Sequence, residues 1–345
     1  MTTTPNKRVL SGMRPTGKLH LGNYMGALYN WLRLQHEYDC YFFIADFHAL
    51  TTDYEDTILL PEYIHEVALD WLGAGLDPEK CTLFIQSWVP QHAELHLLFS
   101  MITPLGWLER VPTYKDQLLQ LGNTEAGGKD LSTYGFLGYP LLQAADILIY
   151  QANYVPVGED QVPHVELTRE VARRFNNFYG TSPHVFPEPD VLKTPSPKLP
   201  GTDGRKMSKS YNNTIQLADP EAEIRAKLKT MVTDPARIRR TDPGNPEVCP
   251  VFDLHKVFSS TETQQKVREG CTTAGIGCIE CKSWLADAVV RELAPIQERR
   301  ATFAAKPDLV TEILREGSAR AALRAEQTMR EVRTAMHLPQ LPPRL

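Results

Sequence analysis

The first two thirds of this 345-residue chain alternate between strand-like and helix-like segments, and this alternation constrains the fold more than any other feature. Patterns typical of short buried strands occur at 9–13, 40–45 and 82–85, and helical patterns at 24–35 and 59–72 lie between them. Strands that alternate with helices favour a parallel sheet whose strands are joined by crossover helices. The sequence therefore predicts an α/β fold for this part of the chain.

The character of the chain changes near residue 215, after a segment rich in glycine, proline and lysine. Asp219-Pro220 is a good helix start, because a capping side chain is followed by proline at the first helical position. From there to 318–336, a segment rich in alanine, arginine and glutamate, the pattern is mostly helical. We therefore predict two domains, residues 1–215 and residues 216–345.

Composition and charge exclude some broad classes of protein. Hydrophobic residues make up 42% of the chain and charged residues 23%, which argues against general disorder. No run approaches the roughly 20 apolar residues that a membrane span needs, and the first eight residues have no apolar signal core, so we expect a cytoplasmic protein. The first 215 residues carry 17 basic and 24 acidic residues, whereas residues 216–345 carry 20 basic and 18 acidic residues. A polyanion is therefore expected to bind the C-terminal part.

The segment from Ser11 to Asn23 follows a predicted strand, opens a predicted helix and has the composition of a phosphate-binding loop. Glycine lets the backbone approach a phosphate closely, and a helix N-terminus offers unpaired N–H groups and a positive dipole. His20 and Asn23 add side-chain hydrogen bonds at the start of the helix. A plain turn with incidental polar residues is the alternative.

A second segment, Lys206-Met207-Ser208-Lys209-Ser210, lies in a loop bounded by Pro200-Gly201 and Asn212-Asn213. Two lysines three positions apart, with two hydroxyl groups, are suited to neutralise a triphosphate as pyrophosphate leaves. A basic surface loop is the alternative. The order and distance of the two segments favour a nucleotide site.

Together the two segments resemble the H-I-G-H and K-M-S-K-S signatures of class I aminoacyl-tRNA synthetases, with Asn23 where many members have the second histidine. This resemblance implies a Rossmann-like parallel-sheet catalytic domain followed by an all-helical domain that binds the tRNA anticodon. It implies Mg²⁺ with ATP, and catalytic roles for His20, Lys206 and Lys209. The residues that it places at ATP are Arg14, Pro15, Thr16, Gly22, Asn23, Gly158, Glu159, Asp160, Leu199, Lys206, Met207, Ser208, Lys209 and Ser210.

Two further segments, 138–147 and 155–161, are similar to the amino-acid pocket and the G-x-D-Q segment of the tryptophan-specific members. Asp146 matches the carboxylate that accepts the indole N–H, and an indole has one donor and no acceptor. Gln161 matches a residue on the amino-acid side, and Gln143 stands where many bacterial relatives have methionine. A helix-capping or surface aspartate is the alternative for Asp146.

The resemblance covers residues 10–336 and implies three substrates: ATP, L-tryptophan and tRNA. Tryptophan would be activated to its adenylate with release of pyrophosphate and then transferred to the 3′ end of the tRNA, and the enzyme would be a homodimer. Tyrosine activation is the nearest rival reaction. A rival of another class is a non-catalytic, metal-stabilised RNA-binding protein derived from a synthetase, and the intact His20, Lys206 and Lys209 argue against it.

Four of the six cysteines, Cys249, Cys271, Cys278 and Cys281, have the spacing C-x21-C-x6-C-x2-C, whereas Cys40 and Cys81 are predicted to be core thiols in or beside strands. One C-x2-C pair with two more cysteines favours a metal site over chance burial, although zinc ribbons usually use two such pairs. The spacing is similar to that of tryptophan-specific synthetases with a 4Fe-4S cluster. The resemblance therefore implies such a cluster in a structural role, with zinc as the alternative.

Overall fold

A computed structural model of the chain describes residues 7–111, 131–180, 182–193 and 197–340. Its strands form one parallel sheet in the order β3-β2-β1-β4-β5. The strands are β1 (Arg8–Met13), β2 (Asp39–Ile44), β3 (Cys81–Ile85), β4 (Tyr154–Val157) and β5 (Asp190–Lys193). The helices are α1 (Leu21–Asn23), α2 (Tyr29–Leu34), α3 (Asp46–Leu50), α4 (Leu60–Ala74), α5 (Gln91–Ser100), α6 (Leu105–Glu109), α7 (Tyr134–Ile149), α8 (Val162–Tyr179), α9 (Glu221–Thr230), α10 (Pro250–Phe258), α11 (Thr261–Thr272), α12 (Cys278–Ala304) and α13 (Pro307–Ala335). The predicted α/β class with a parallel sheet is confirmed.

Both faces of the sheet are covered, as the near-continuous apolar sequence of β2 and β3 requires. Successive residues of β2 point to opposite faces. Phe42 stacks on Trp31 at a ring distance of 4.6 Å on one face, and Phe43 stacks on Phe84 at 5.6 Å on the other. Cys40 and Cys81 are paired in register on β2 and β3 and buried, which confirms them as core thiols.

The helical stretch predicted over about 24–35 is confirmed. It begins earlier, at Leu21, and contains a π-helical turn at Tyr24–Leu28 between α1 and α2. Leu28 and Trp31 are buried and Leu32 is partly buried, so the predicted apolar face is present.

The predicted capping role of Asp219 is also wrong. Helix α9 begins at Glu221, and Pro220 occupies the cap position without a side-chain cap. Asp219 instead accepts a hydrogen bond from the backbone N–H of Gln216 at 2.8 Å and forms an ion pair with Lys227 at 2.6 Å. This buried carboxylate therefore closes the turn before the helix and pairs with a charge two turns into it.

The helices after residue 215 pack on the sheet layer rather than apart from it. Helix α12 packs on α4, and α13, which contains the helix predicted at 318–336, returns to β3. The backbone N–H of Ile85 in β3 donates to Ser318 Oγ at 3.3 Å. Within the described ranges, no helix has the length and apolar character that crossing a bilayer needs.

Candidate active site

The site lies at the carboxyl ends of β1 and β4, where the strand order reverses direction. In open parallel sheets this switch point leaves a crevice that ligands occupy. One cavity of about 370 Å³ is lined by residues of β1, α7 and β4. An adjoining cleft of about 1080 Å³ is lined by residues of both signature segments.

His20 caps helix α1 and lines the larger cleft. Its Nδ1 accepts from the backbone N–H of Asn23 at 3.3 Å, and Asn23 Oδ1 accepts from the backbone N–H of His20 at 3.1 Å. Burial, followed by the positive charges of Lys209 and Lys206, lowers the pKa of His20 to about 4. The imidazole is therefore neutral at pH 7, and Nε2 carries the proton. A neutral donor at this position can hydrogen-bond a phosphate oxygen.

Gly22 permits the close approach of the His20 ring to the helix start. A Cβ atom at position 22 would lie 2.8 Å from His20 Cε1, closer than real Cβ contacts allow. Any larger residue would displace the imidazole from its capping position.

Lys209 joins the two signature segments. Its Nζ donates to the carbonyl oxygens of Thr16 and Gly17, both at 2.9 Å. Burial lowers the pKa of Lys209 to about 8, and the charge of Asp70 opposes this shift. Lys206 is exposed and lines the larger cleft, so the two lysines differ in their surroundings.

The backbone also connects the first signature segment to the chain that follows the second one. The N–H of Leu21 donates to Ile215 O at 2.9 Å, and the N–H of Leu217 donates to Leu19 O at 2.8 Å. Asn213 organises the second segment: its Oδ1 accepts from the N–H of Ser208 at 2.8 Å and its Nδ2 donates to Asp203 at 2.7 Å. Sequence reasoning treated Asn213 only as a loop boundary and missed this role.

Asp146 lies in the middle of α7, is 0% exposed and lines the smaller cavity, so it is neither a capping nor a surface residue. It accepts from His48 Nε2 at 2.8 Å, His92 Nδ1 at 2.6 Å and Gln86 Nε2 at 2.8 Å. Burial by itself would raise its pKa, but the hydrogen bonds of His48 and His92 outweigh burial and lower the pKa to about 2. His92 Nε2 continues the network to the Tyr150 hydroxyl at 2.7 Å. Sequence reasoning found Asp146 but missed its three partners, because they lie 54 to 98 residues away along the chain.

Arg14 lies between the signature loop and the smaller cavity. Its Nη2 pairs with Asp53 at 3.0 Å and also donates to Thr52. The buried Nε of Arg14 has no hydrogen-bond partner among the residues that the structure describes, so a ligand can take it.

The other predicted site residues divide between the cavities. Gln143, Gly158 and Gln161 line the smaller cavity. Residues that line the larger cleft are Gly22, Asn23, Gly158, Glu159, Leu199, Lys206, Met207, Ser208 and Ser210. Pro15 and Thr16 instead line a separate cavity of about 220 Å³ beside the signature loop, and the side chain of Asp160 lies outside the described part of the structure.

The four C-terminal cysteines come together where α10, α11 and α12 meet. Cys249 precedes α10, Cys271 lies in α11, and Cys278 and Cys281 are in the first turn of α12. Burial, and then the neighbouring thiols of Cys249, Cys271 and Cys278, raise the pKa of Cys281 to about 12. Across the described ranges, no three His, Cys, Asp or Glu side chains are placed to hold a single metal ion.

Comparison with known proteins identifies the family. Residues 2–294 match the family model described as tRNA synthetases class I (W and Y). The chain is 55% identical to the tryptophan–tRNA ligase of Thermotoga maritima and 50% identical to that of Ralstonia nicotianae, covering 96% of this chain and 99% and 98% of those proteins. It superposes on the Campylobacter jejuni tryptophanyl-tRNA synthetase complexed with ADP and tryptophan with a TM-score of 0.84 and 33% identity, over 96% of this chain and 100% of that one.

Proposed function

The chain belongs to the class I tRNA synthetases of the tryptophan and tyrosine branch, and from that premise we propose how its residues carry out the reaction. It is an aminoacyl-tRNA synthetase that acts as a tryptophan–tRNA ligase. The tryptophan carboxylate attacks the α-phosphorus of Mg-ATP, and pyrophosphate leaves. The terminal ribose hydroxyl of the tRNA then attacks the carbonyl carbon of the adenylate, and AMP leaves. The reaction needs no side-chain nucleophile, because positioning and charge stabilisation supply the rate.

The observation that carries the residue roles is the docking of Lys209 on the carbonyl groups of Thr16 and Gly17. It brings the second signature against the first, and residues of both signatures line the larger cleft. In this proposal ATP occupies the larger cleft, and neutral His20 donates from Nε2 to its phosphates. Lys206 and Lys209 neutralise the charge that develops as pyrophosphate leaves.

Tryptophan occupies the smaller cavity in this proposal, with its indole N–H directed at Asp146. The carboxylate is held in place by His48, His92 and Gln86, so it is a fixed acceptor in a cavity whose apolar lining includes Phe43, Phe136 and Ile147. Gln161 and Arg14, whose Nε is free, line the same cavity, and Gln161 is proposed to lie on the amino-acid side.

Amino-acid-dependent ATP–pyrophosphate exchange tests this proposal. We expect exchange with tryptophan to exceed exchange with tyrosine by roughly a hundredfold or more in kcat/KM, because a site built around a buried polar group rejects a mismatched substrate. Faster exchange with tyrosine would contradict the proposal and identify tyrosine as the amino-acid substrate. Absence of exchange with any amino acid would favour the non-catalytic RNA-binding alternative.

The four-cysteine group is proposed to hold a 4Fe-4S cluster. The donor set fits: four thiols converge, and Arg237 Nη1 contacts Cys271 Sγ at 3.8 Å as a hydrogen-bond donor. Four thiolates satisfy a 4Fe-4S cluster, and four is the number of cysteines that lie together here. When bound, the cluster would cross-link the starts of α10 and α12 to α11 and take no part in the reaction.

Metal analysis of anaerobically purified protein tests the cluster proposal. We expect iron and acid-labile sulfide in the parent protein and loss of both in Cys281→Ser. The matched control is Cys81→Ser, which alters a buried thiol of β3 and should retain both. One equivalent of zinc without sulfide would overturn the cluster in favour of zinc.

Residues 1–215 are proposed as the catalytic domain and residues 216–345 as the tRNA anticodon-binding domain. The more basic balance of the second part and its helical structure support this division. A cytoplasmic location is proposed with it, because the six cysteines, each within the described ranges, are not paired in disulfides, as expected in a reducing compartment.

We also propose a homodimer that uses the apolar surface on α5, α6 and α7. Leu97, Leu105 and Tyr134 on these adjoining helices, and Met101 directly after α5, are each more than half exposed. Light scattering after size exclusion should give a dimer for the parent protein and a monomer for Leu97→Glu. The control Leu323→Glu, at a 70% exposed position on α13, should remain dimeric. A monomeric parent protein would overturn the proposal.

A further inference from the structure

A buried ion pair connects the C-terminal helix α12 to the first signature segment. Asp70 of α4 is 0% exposed, and its Oδ2 accepts from the backbone N–H of Leu19 at 2.7 Å. Its Oδ1 accepts from Arg300 Nε of α12 at 2.7 Å, and Arg300 also pairs with Glu66. The partners Asp70 and Arg300 are 230 residues apart in the chain.

Leu19 immediately precedes His20, so the orientation of its peptide group sets the start of the capped helix. Its N–H is held by Asp70 and its carbonyl oxygen by the N–H of Leu217. Both backbone groups are therefore fixed by segments outside the loop. The charge of Asp70 also acts on Lys209, which docks two residues earlier on Gly17 O.

Helix α12 also contacts two residues next to the first signature segment: Leu217, which holds Leu19, and Tyr24, which follows Asn23. Gln297 Nε2 donates to Leu217 O at 2.9 Å, and the Tyr24 hydroxyl donates to Glu292 at 2.9 Å. Close packing of α12 on α4 depends on Gly73, where a Cβ atom would lie 2.8 Å from Arg300 Cβ. Helix α12 is thus linked to the first signature segment through Asp70, Leu217 and Tyr24.

We propose that Asp70 and Arg300 are positioning residues for adenylate formation, through which helix α12 holds the first signature segment in its reactive geometry. The inference rests on the proposed function in taking His20 and Lys209 to act on ATP. Burial raises the pKa of Asp70, against the hydrogen bond of Leu19 and the charge of Arg300. Without Arg300 the carboxylate loses its compensating charge, and the hydrogen bond to Leu19 weakens with it.

The adjacent Arg299 provides a matched control. It lies on the same helix and donates to Gly73 O at 2.7 Å and Ala74 O at 3.2 Å, which are carbonyl groups at the end of α4. Arg299→Met therefore removes an arginine that joins the same two helices without removing the support of Leu19. Arg300→Met retains most of the side-chain volume and removes the guanidinium group.

Two measurements test the proposal. In tryptophan-dependent pyrophosphate exchange, we expect Arg300→Met to lower kcat about tenfold with both KM values within twofold, and Arg299→Met to change kcat less than twofold. In hydrogen exchange monitored by mass spectrometry, peptides covering 14–23 should exchange about tenfold faster in Arg300→Met and not in Arg299→Met.

A double variant separates positioning from stability. Asp70→Leu with Arg300→Met removes both charges of the Asp70–Arg300 pair, so the free energy of unfolding should recover relative to Arg300→Met, whereas the N–H of Leu19 now loses its acceptor altogether. We expect this variant to remain slow. Recovery of both stability and kcat, equal losses in the two arginine variants, or unchanged exchange of 14–23 would each overturn the inference. Because hydrogen exchange requires no amino-acid substrate, it decides the inference even if the parent protein fails to activate tryptophan.

Discussion

Asp146→Ala offers the most direct test of the amino-acid pocket. The substitution removes the acceptor of His48, His92 and Gln86 from a site with no exposure to solvent. Each buried donor left unpaired costs about 1–3 kcal/mol, but water can enter from the adjacent cavity and satisfy part of the loss. We therefore expect the free energy of unfolding to fall by about 2–4 kcal/mol.

The effect on tryptophan should be separable from this loss of stability. Loss of a fixed acceptor for the indole N–H should cost about 1–3 kcal/mol of transition-state stabilisation, which lowers kcat/KM for tryptophan about 5- to 150-fold and leaves the KM for ATP within about twofold. Pyrophosphate exchange with each substrate varied in turn measures both constants, and urea denaturation measures stability.

Asp46→Ala is the control for this experiment. Asp46 is 5% exposed, accepts from the backbone N–H groups of Phe47 and Ser87, and does not line the cavity. Asp46→Ala should lower the free energy of unfolding without a selective loss in the kinetic constants for tryptophan or for ATP. Equal losses for tryptophan and ATP in Asp146→Ala would refute the recognition role and leave Asp146 as a structural residue.

Further predictions concern the lysines and the packing of α13. Lys206→Ala and Lys209→Ala should each lower kcat for adenylate formation more than they raise KM for ATP, and a rise in KM at unchanged kcat would contradict their proposed action on the leaving pyrophosphate. Because the pKa of Lys209 is about 8, kcat/KM for ATP should fall above that pH as the charge is lost, and Lys209→Arg should remove this alkaline limb. Gly317→Ala should destabilise the protein by about 2–4 kcal/mol in urea denaturation, because a Cβ would overlap the carbonyl group of Leu83. Gly135→Ala, with open space around it, should not lower stability, and equal effects of the two substitutions would contradict this packing argument.

The sequence was sufficient for the class of fold and for the positions of the signatures. Strand and helix periodicity are local properties of the chain, so the strands at 8–13, 39–44 and 81–85 were predicted to within one residue at each end. The π-helical turn after Asn23 was not predicted, and the predicted capping role of Asp219 was wrong because Asp219 pairs with Lys227.

The sequence by itself determined which residues the chain has for a nucleotide site, for a carboxylate acceptor at Asp146 and for a group of four thiols. Only the tertiary structure decided their partners: His48 and His92 for Asp146, and the Thr16 carbonyl group for Lys209. The physical reason is that a buried polar group is stabilised by whichever donors and acceptors the packed helices and strands bring within about 3 Å. Those neighbours are separated by tens to hundreds of residues along the chain, beyond the range of any local pattern.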